Sequence, residues 1–408
     1  SAQHASANPG NPAGPDVQAP GVLVDGQLAY DLAFHAVRRA QPILPLPTST
    51  GATPGWLVAT GGNNFNLPPA PASDSDGAPP VRSGVGALLE TVPAICETPE
   101  LSLADPSTVP TDFATLLNDV ATALGLGGPP AVSVTNGDRL VRETRREFYL
   151  SKFGCRDAQW ALRRAINQAS ELLYVESAAF ARTAHPSGPA APHEVDLVAE
   201  LINRLVAEPN LRVIIATPRL GDFDPRYGGW VRRAYADRAE AVGAVKGAAP
   251  DRVVAFHPVG FPGRAAVLRT TVVIVDDVWC LTGASHWRRR GMTFDGAADV
   301  VSFDRQLEDG YSKKIRDFRR SRMAALLQVD PAAAAGASGD WLRLARPRSA
   351  FEEVADLLAQ GGLGRVVPFW PGPTDTAVQP TTVDIADPDG SDGSKFITAF
   401  AGLLAEIP

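Results

Sequence analysis

Cysteine, histidine and long apolar runs are all scarce in this chain. Among 408 residues there are three cysteines, Cys96, Cys155 and Cys280. An odd count, at spacings that fit no metal motif, argues against a disulfide framework or a zinc site. Free thiols lean towards a reducing, cytoplasmic compartment, and one bridge, Cys96 to Cys155, stays open. No apolar run approaches the ~18 residues of a membrane helix, and no charged-plus-apolar leader opens the chain. The formal net charge of −7 excludes a general attraction to nucleic acid or to an anionic membrane. No cofactor motif is present. DPDGSDG, at 387–393, has calcium-loop composition but lacks the alternating ligands and terminal Glu of an EF-hand, so it reads as a solvated loop.

What is present is an ordinary globular composition, 45% hydrophobic and 20% charged. The length suffices for two domains or two pseudo-repeats. Residues 1–24 read as a disordered linker, rich in Pro, Gly and Ala, and suggest a processed end or an excised piece of a longer protein. Asp25 to Arg39 suggests a short helix carrying His35. Trp56 to Asn64 is a short strand ending in Gly61-Gly62-Asn63-Asn64. Residues 67–139 hold Pro/Ser/Asp-rich loops, a possible helix around Ala87 to Leu89 and another at Asp112 to Leu124. LGLGGPP then breaks the chain.

Beyond Arg142 the pattern is sharper. Asp157 is a candidate N-cap. Ala158, Leu162, Ala165, Ile166 and Ala169 fall on one face of a helix. Leu172 to Val175 is an apolar strand ended by Glu176. A helix through Val198, Leu201, Ile202 and Leu205 follows, then a strand Arg212 to Ala216. A helix Trp230 to Val245 and a strand Arg252 to His257 complete the alternation. Unbroken apolar strands alternating with helices predict an α/β fold, a parallel or mixed sheet covered on both faces.

The central stretch is LRTTVVIVDDVWCLTGASHWRRRGMTFDGAADVVSFD, Leu268 to Asp304. A buried strand, Val272 to Val275, turns at Asp276-Asp277 into a second strand, Val278 to Leu281. A small-residue loop and a basic run, Trp287 to Arg290, follow. Farther on, a helix is expected over Lys313 to Leu327, another over Ala350 to Leu358, and VVPFWPG is extended.

This stretch resembles the second signature of the phospholipase D superfamily, H-x-K-x4-D followed by G-S/G-x-N-x4-R-S and D-x-E. Asp276, Gly283, Arg290 and Asp295 occupy matching positions. The nucleophilic His position holds Arg269 and the phosphate-binding Lys position holds Thr271. The loop Ser and Asn are Ala284 and His286, the Ser after the arginine is Gly291, and the final Glu is Ala297. LLYVESAAF is similar to the family's strand-then-acid segment. Gly61, Gly62 and Asn64 resemble the loop that closes the first signature. Arg269 stands 14 positions before Gly283, and the same step back from Gly62 reaches Thr48, not a His.

The resemblance implies two α-β-α halves about a pseudo-twofold: a degenerate first half at 25–140 and a second at 141–328. A C-terminal extension follows at 329–408. It also implies a reaction through two histidines, one attacking phosphorus and one protonating the leaving oxygen. No H-x-K occurs in the chain. The first functional reading is therefore a phospholipase D-like module without catalysis, acting as a binding or structural unit in a larger assembly. A phosphate-containing ligand held by Arg269, Thr271, Ser285, His286 and Arg290, or a protein partner, would suit it. Arg269 pairing with Asp276 is an alternative use of that arginine. The second reading is an active phosphodiesterase with a rearranged site on His257 or His286. The third, nucleic-acid binding through Arg288 to Arg290, is opposed by the acidic net charge and the lack of interleaved aromatics.

Overall fold

The computed structural model describes residues 16–22, 24, 28–29, 31–33, 84–92, 155–184, 195–219, 228–260, 264–293, 295–304, 306–329 and 340–369. Gly61, Gly62, Asn64, His35 and Cys96 lie outside them.

Three parallel strands form the middle of one large mixed sheet: β4 (Leu172–Glu176), β5 (Arg212–Ala216) and β6 (Val253–Gly260). Their interiors are almost wholly apolar because helices cover both faces. Helices α1 (Asp157–Gln168), α2 (Leu197–Ala207) and α3 (Gly228–Ala248) connect this region. They share one core with Leu173, Val175, Val213, Ile215, Val253 and Val273. The α1 face expected from its apolar spacing is the buried one, at Ala158, Leu162, Ala165 and Ile166. Asp157 is its first residue rather than its cap, and its carboxylate accepts the Glu90 N–H at 3.2 Å.

On the other side of β4 the sheet turns antiparallel. β8 (Thr271–Val275) pairs with β4 and with β9 (Trp279–Gly283). β9 pairs with β10 (Ala297–Asp304), β10 with β2 (Gly84–Val92), and β2 with the short β3 (Cys155–Arg156). The possible helix around Ala87 to Leu89 is thus corrected to a strand. Its pairing with β10 over eight register positions outweighs the helix preference of Ala and Leu. At the opposite margin β7 (Arg264–Leu268) hairpins from β6. Asp16–Gln18, expected without structure, runs parallel to β7 as β1.

After the two-residue strands β11 (Leu307–Glu308) and β12 (Tyr311–Ser312), helix α5 (Lys313–Leu326) packs on the second face. It is N-capped by Ser312, whose Oγ accepts the Ile315 N–H. Helices α6 (Asp340–Arg343) and α7 (Pro347–Ala359) join it there, with Tyr174, Ile214, Phe256 and Ile274 beneath. β13 (Val366–Pro368) then pairs antiparallel with β6. The stretch expected as a C-terminal extension, and a strand from the expected first half, therefore build the same sheet as the second half. Among the described residues no helix is long and apolar enough to cross a membrane.

Candidate functional site

The β8–β9 hairpin is anchored at its turn. Asp276 and Asp277 both have positive φ, 50° and 53°, and the Val278 N–H bonds the Val275 carbonyl at 3.0 Å. This is the two-residue turn whose twist suits a hairpin. Asp tolerates the left-handed region better than most side chains do. Here both carboxylates are also fully used. Asp276 accepts from Ser170 N and Oγ, Glu171 N and Leu172 N, all at 2.8 Å, so it fixes the start of β4. Asp277 forms a two-pronged ion pair with Arg319 of α5, at 2.6 and 2.8 Å, with both side chains fully buried. At the other end of β4, Glu176 is bracketed by Arg322 at 2.8 Å and the Tyr174 hydroxyl at 2.7 Å. Burial and the Glu176 charge raise the Tyr174 phenol well above its usual range.

The other end of the hairpin is built from neutral groups. Strand register aligns Asp299, Gly283 and Thr271, and Glu176, Ala216 and Phe256 set the next row. Ser177, Thr217 and His257 each follow one residue later, so they continue the Thr271 row along the sheet edge. Thr271 Oγ1 lies 3.0 Å from Ser177 Oγ and 3.2 Å from His286 Nδ1, and the Trp287 N–H donates to Ser177 Oγ at 3.1 Å. One arrangement of protons satisfies the chain. Trp287 N–H donates to Ser177, Ser177 to Thr271, and Thr271 to His286 Nδ1, which leaves the His286 proton on Nε2. Burial first, then the Arg288 charge, lowers the His286 pKa to about 4, against a small opposing pull from Asp295. The ring is neutral at pH 7.

A hydrogen-bonded pair lies on the other side of the hairpin. Ser285 donates its N–H and hydroxyl to the Asp299 carboxylate, at 3.0 and 2.6 Å, and the Thr91 hydroxyl bonds Ser285 Oγ at 2.9 Å. Gly283 is required for this approach, since a Cβ there would stand 2.1 Å from Asp299 Oδ1 and 2.5 Å from its Cα. Gly291 is equally constrained. A Cβ at that position would meet the His286 carbonyl at 2.3 Å, so a serine there does not fit this loop. Trp287 is fully buried and stacks on Phe180 at 5.0 Å, which locks the loop against the end of β4. Arg288 and Arg290 both bond Asp295, and Arg289 is buried, so the basic run is largely neutralised or folded inward.

The five residues expected to share an anion do not converge. Thr271 and His286 touch each other, but Ser285 faces Asp299 and Arg290 is taken by Asp295. Arg269 is exposed at the start of β8, where its N–H bonds Gln18. Its expected pairing with Asp276 is corrected, because β8 separates them. Asp276 lies past the far end of that strand, at roughly 3.3 Å of rise per residue, and is saturated by residues 170–172. His257 is 1% exposed, bonds the Thr217 carbonyl at 2.9 Å through Nδ1–H, and packs on Phe369 at 4.9 Å. Burial lowers its pKa to about 4, with Arg238 and Arg219 reinforcing the shift. Asp299, Ser177 and Thr91 were missed because each is a lone polar residue in an apolar strand or at its end, and only cross-strand register brings them together. Among the described residues no His/Cys/Asp/Glu group is arranged to hold a metal ion.

No family model and no curated protein matches the sequence. Three solved structures are similar to parts of the chain. Nuc from Salmonella typhimurium, a phospholipase D family member, is 18% identical, with 40% of this chain and 82% of that chain covered and a TM-score of 0.26. NucT from Helicobacter pylori is 14% identical over 43% of this chain and 89% of its own, at a TM-score of 0.29. A phosphatidylserine synthase from Haemophilus influenzae is 12% identical over 62% and 58%, at 0.32.

Proposed function

We propose that this chain uses a phospholipase D-like fold as a binding or structural module and does not hydrolyse phosphodiesters. The arrangement of its two candidate histidines carries the reading. Thr271, which touches His286, and His257 stand at opposite ends of one row, with Ser177 and Thr217 between them. Three strand spacings of about 4.8 Å put the backbones of Thr271 and His257 roughly 14 Å apart. A nucleophile and a general acid serving one phosphorus must each lie within hydrogen-bond reach of it, about 3 Å. Both rings also have pKa values lowered to about 4 by burial, so neither is protonated at neutral pH. Neither histidine then supplies the acid that the step needs. On this reading residues 25–140 form the degenerate first half, and the module's partner is a phosphate-containing ligand or another protein of an assembly.

Hydrolysis of phosphatidylcholine and of a chromogenic phosphodiester tests the reading, with the purified chain and with His257→Ala and His286→Ala. The expected result is no turnover above blank for any of the three. Turnover that disappears in either variant overturns it in favour of a rebuilt active site.

A further inference from the structure

Arg238 of α3 is a buried cation without a counter-charge. Its side chain is 2% exposed, yet no carboxylate among the described residues pairs with it. The other deeply buried arginines differ. Arg319 meets Asp277 and Arg322 meets Glu176. Arg238 instead bonds neutral acceptors at the carboxyl end of β5: Thr217 Oγ1 at 3.1 Å, the Pro218 carbonyl, and the Arg219 carbonyl at 3.5 Å. Burying a guanidinium with no anion costs several kcal/mol unless something offsets it. The strain is visible as a pKa lowered to about 10 by burial.

The donor inventory shows where an offset fits. A guanidinium has five N–H groups. Nη1 spends both of its own on Thr217 and Pro218, and Nη2 spends one on Arg219. Nε–H and the second Nη2–H remain, and Nε is buried with no partner. In a planar guanidinium Nε–H and one of the two Nη2–H groups lie on one side and point the same way, the fork that takes two oxygens of a carboxylate or phosphate. The surroundings suit an anion. The exposed Arg219 acts electrostatically on both His257 and Tyr235, and the Arg238 guanidinium lies 5.4 Å from the Tyr235 ring. Tyr235 stacks on Phe369, which also covers His257, so an aromatic wall adjoins the two arginines. The location, beyond the carboxyl ends of parallel β5 and β6, is where open α/β sheets commonly place ligands.

We infer that the Nε–Nη2 edge of Arg238, with Arg219 beside it, is an oxyanion-binding site two to three strands away from Thr271 and His286. The ligand is a small molecule bearing a phosphate or carboxylate group. The site does not depend on the absence of phosphodiester hydrolysis and stands or falls separately from it.

Calorimetry and thermal unfolding with inorganic phosphate and with acetate, against chloride at equal ionic strength, test it on the full chain. Saturable binding of one of them is expected, accompanied by a concentration-dependent rise in Tm. Arg219→Gln is expected to weaken binding at least about tenfold, the value of roughly one hydrogen bond to a charged group. Arg238→Lys keeps the charge but loses the fork and is expected to abolish saturable binding. Phosphate binding without acetate binding identifies a phosphate ligand, and the reverse a carboxylate. No saturable binding to the wild-type chain overturns the proposal. Binding unchanged in Arg219→Gln also overturns it, and that exposed substitution keeps the test decisive should Arg238→Lys fail to fold.

Discussion

The two ends of the β8–β9 hairpin are made by opposite means. At the turn, charge is buried and fully matched: Asp276 takes four donors and Asp277 takes a whole guanidinium fork. At the open end no charge touches Thr271. Its partners are the Ser177 hydroxyl and a neutral imidazole. The residue types explain the contrast. A buried charge is tolerable only with a partner, and the turn has kept its partners. At the open end Thr271 needs no counter-ion, and the carboxylate farther along its row, Asp299, is held by Ser285. The turn is therefore held by charge, and Thr271 itself by neutral hydrogen bonds.

The sharpest way to break this contrast is at the turn. Arg319→Met leaves Asp277 buried without its partner and is expected to cost about 3–5 kcal/mol in chemical denaturation. Adding Asp277→Asn should recover part of that loss, because the coupling between the two is then absent from both states. A loss below 1 kcal/mol would mean that the turn is not held by charge. At the open end, Thr271→Val keeps the shape but removes the hydroxyl that joins Ser177 to His286. An expected cost of about 1–2 kcal/mol makes it clearly smaller than the turn substitution, and a larger effect would invert the comparison.

Acid provides an intermediate probe. His286 and His257 have folded pKa values lowered to about 4 from the ordinary 6.5. The unfolded chain therefore binds protons that the folded chain refuses between pH 6.5 and 4. Stability from these two groups is fully present above pH 6.5 and is lost as the pH falls through that window. His257→Gln should flatten the fall, measured as the midpoint in urea at pH 7, 5.5 and 4.5. A midpoint that does not respond to pH in wild type and variant alike would show that the rings are not buried as neutral groups.

Local pattern made much of this architecture legible. The apolar face of α1, the strand Arg212 to Ala216, the Asp276-Asp277 turn and the helix at Lys313 all follow from periodicity and turn chemistry. Long-range pairing was not legible. Ala87 to Leu89 read as a possible helix because Ala and Leu favour helices, and only β10 alongside makes Gly84–Val92 a strand. The candidate site divided the same way. Its frame, Asp276, Gly283 and Asp295, came from the resemblance to the phospholipase D signature alone. The use of each group was not, since Arg290 and Arg288 are satisfied by Asp295 and Ser285 by Asp299 through folding alone. Arg238 carried no sequence signal at all, as one arginine among several on α3.

The most direct test of the central claim, that the open end holds no acid or base able to work at neutral pH, is an NMR titration of the histidine ring nitrogens. The account predicts that His286 stays neutral from pH 8 to below pH 5, protonated on Nε2 and accepting at Nδ1. It predicts that His257 behaves likewise but with its proton on Nδ1. A His286 that titrates near pH 7 or above would contradict the account and restore a catalytic reading of the loop.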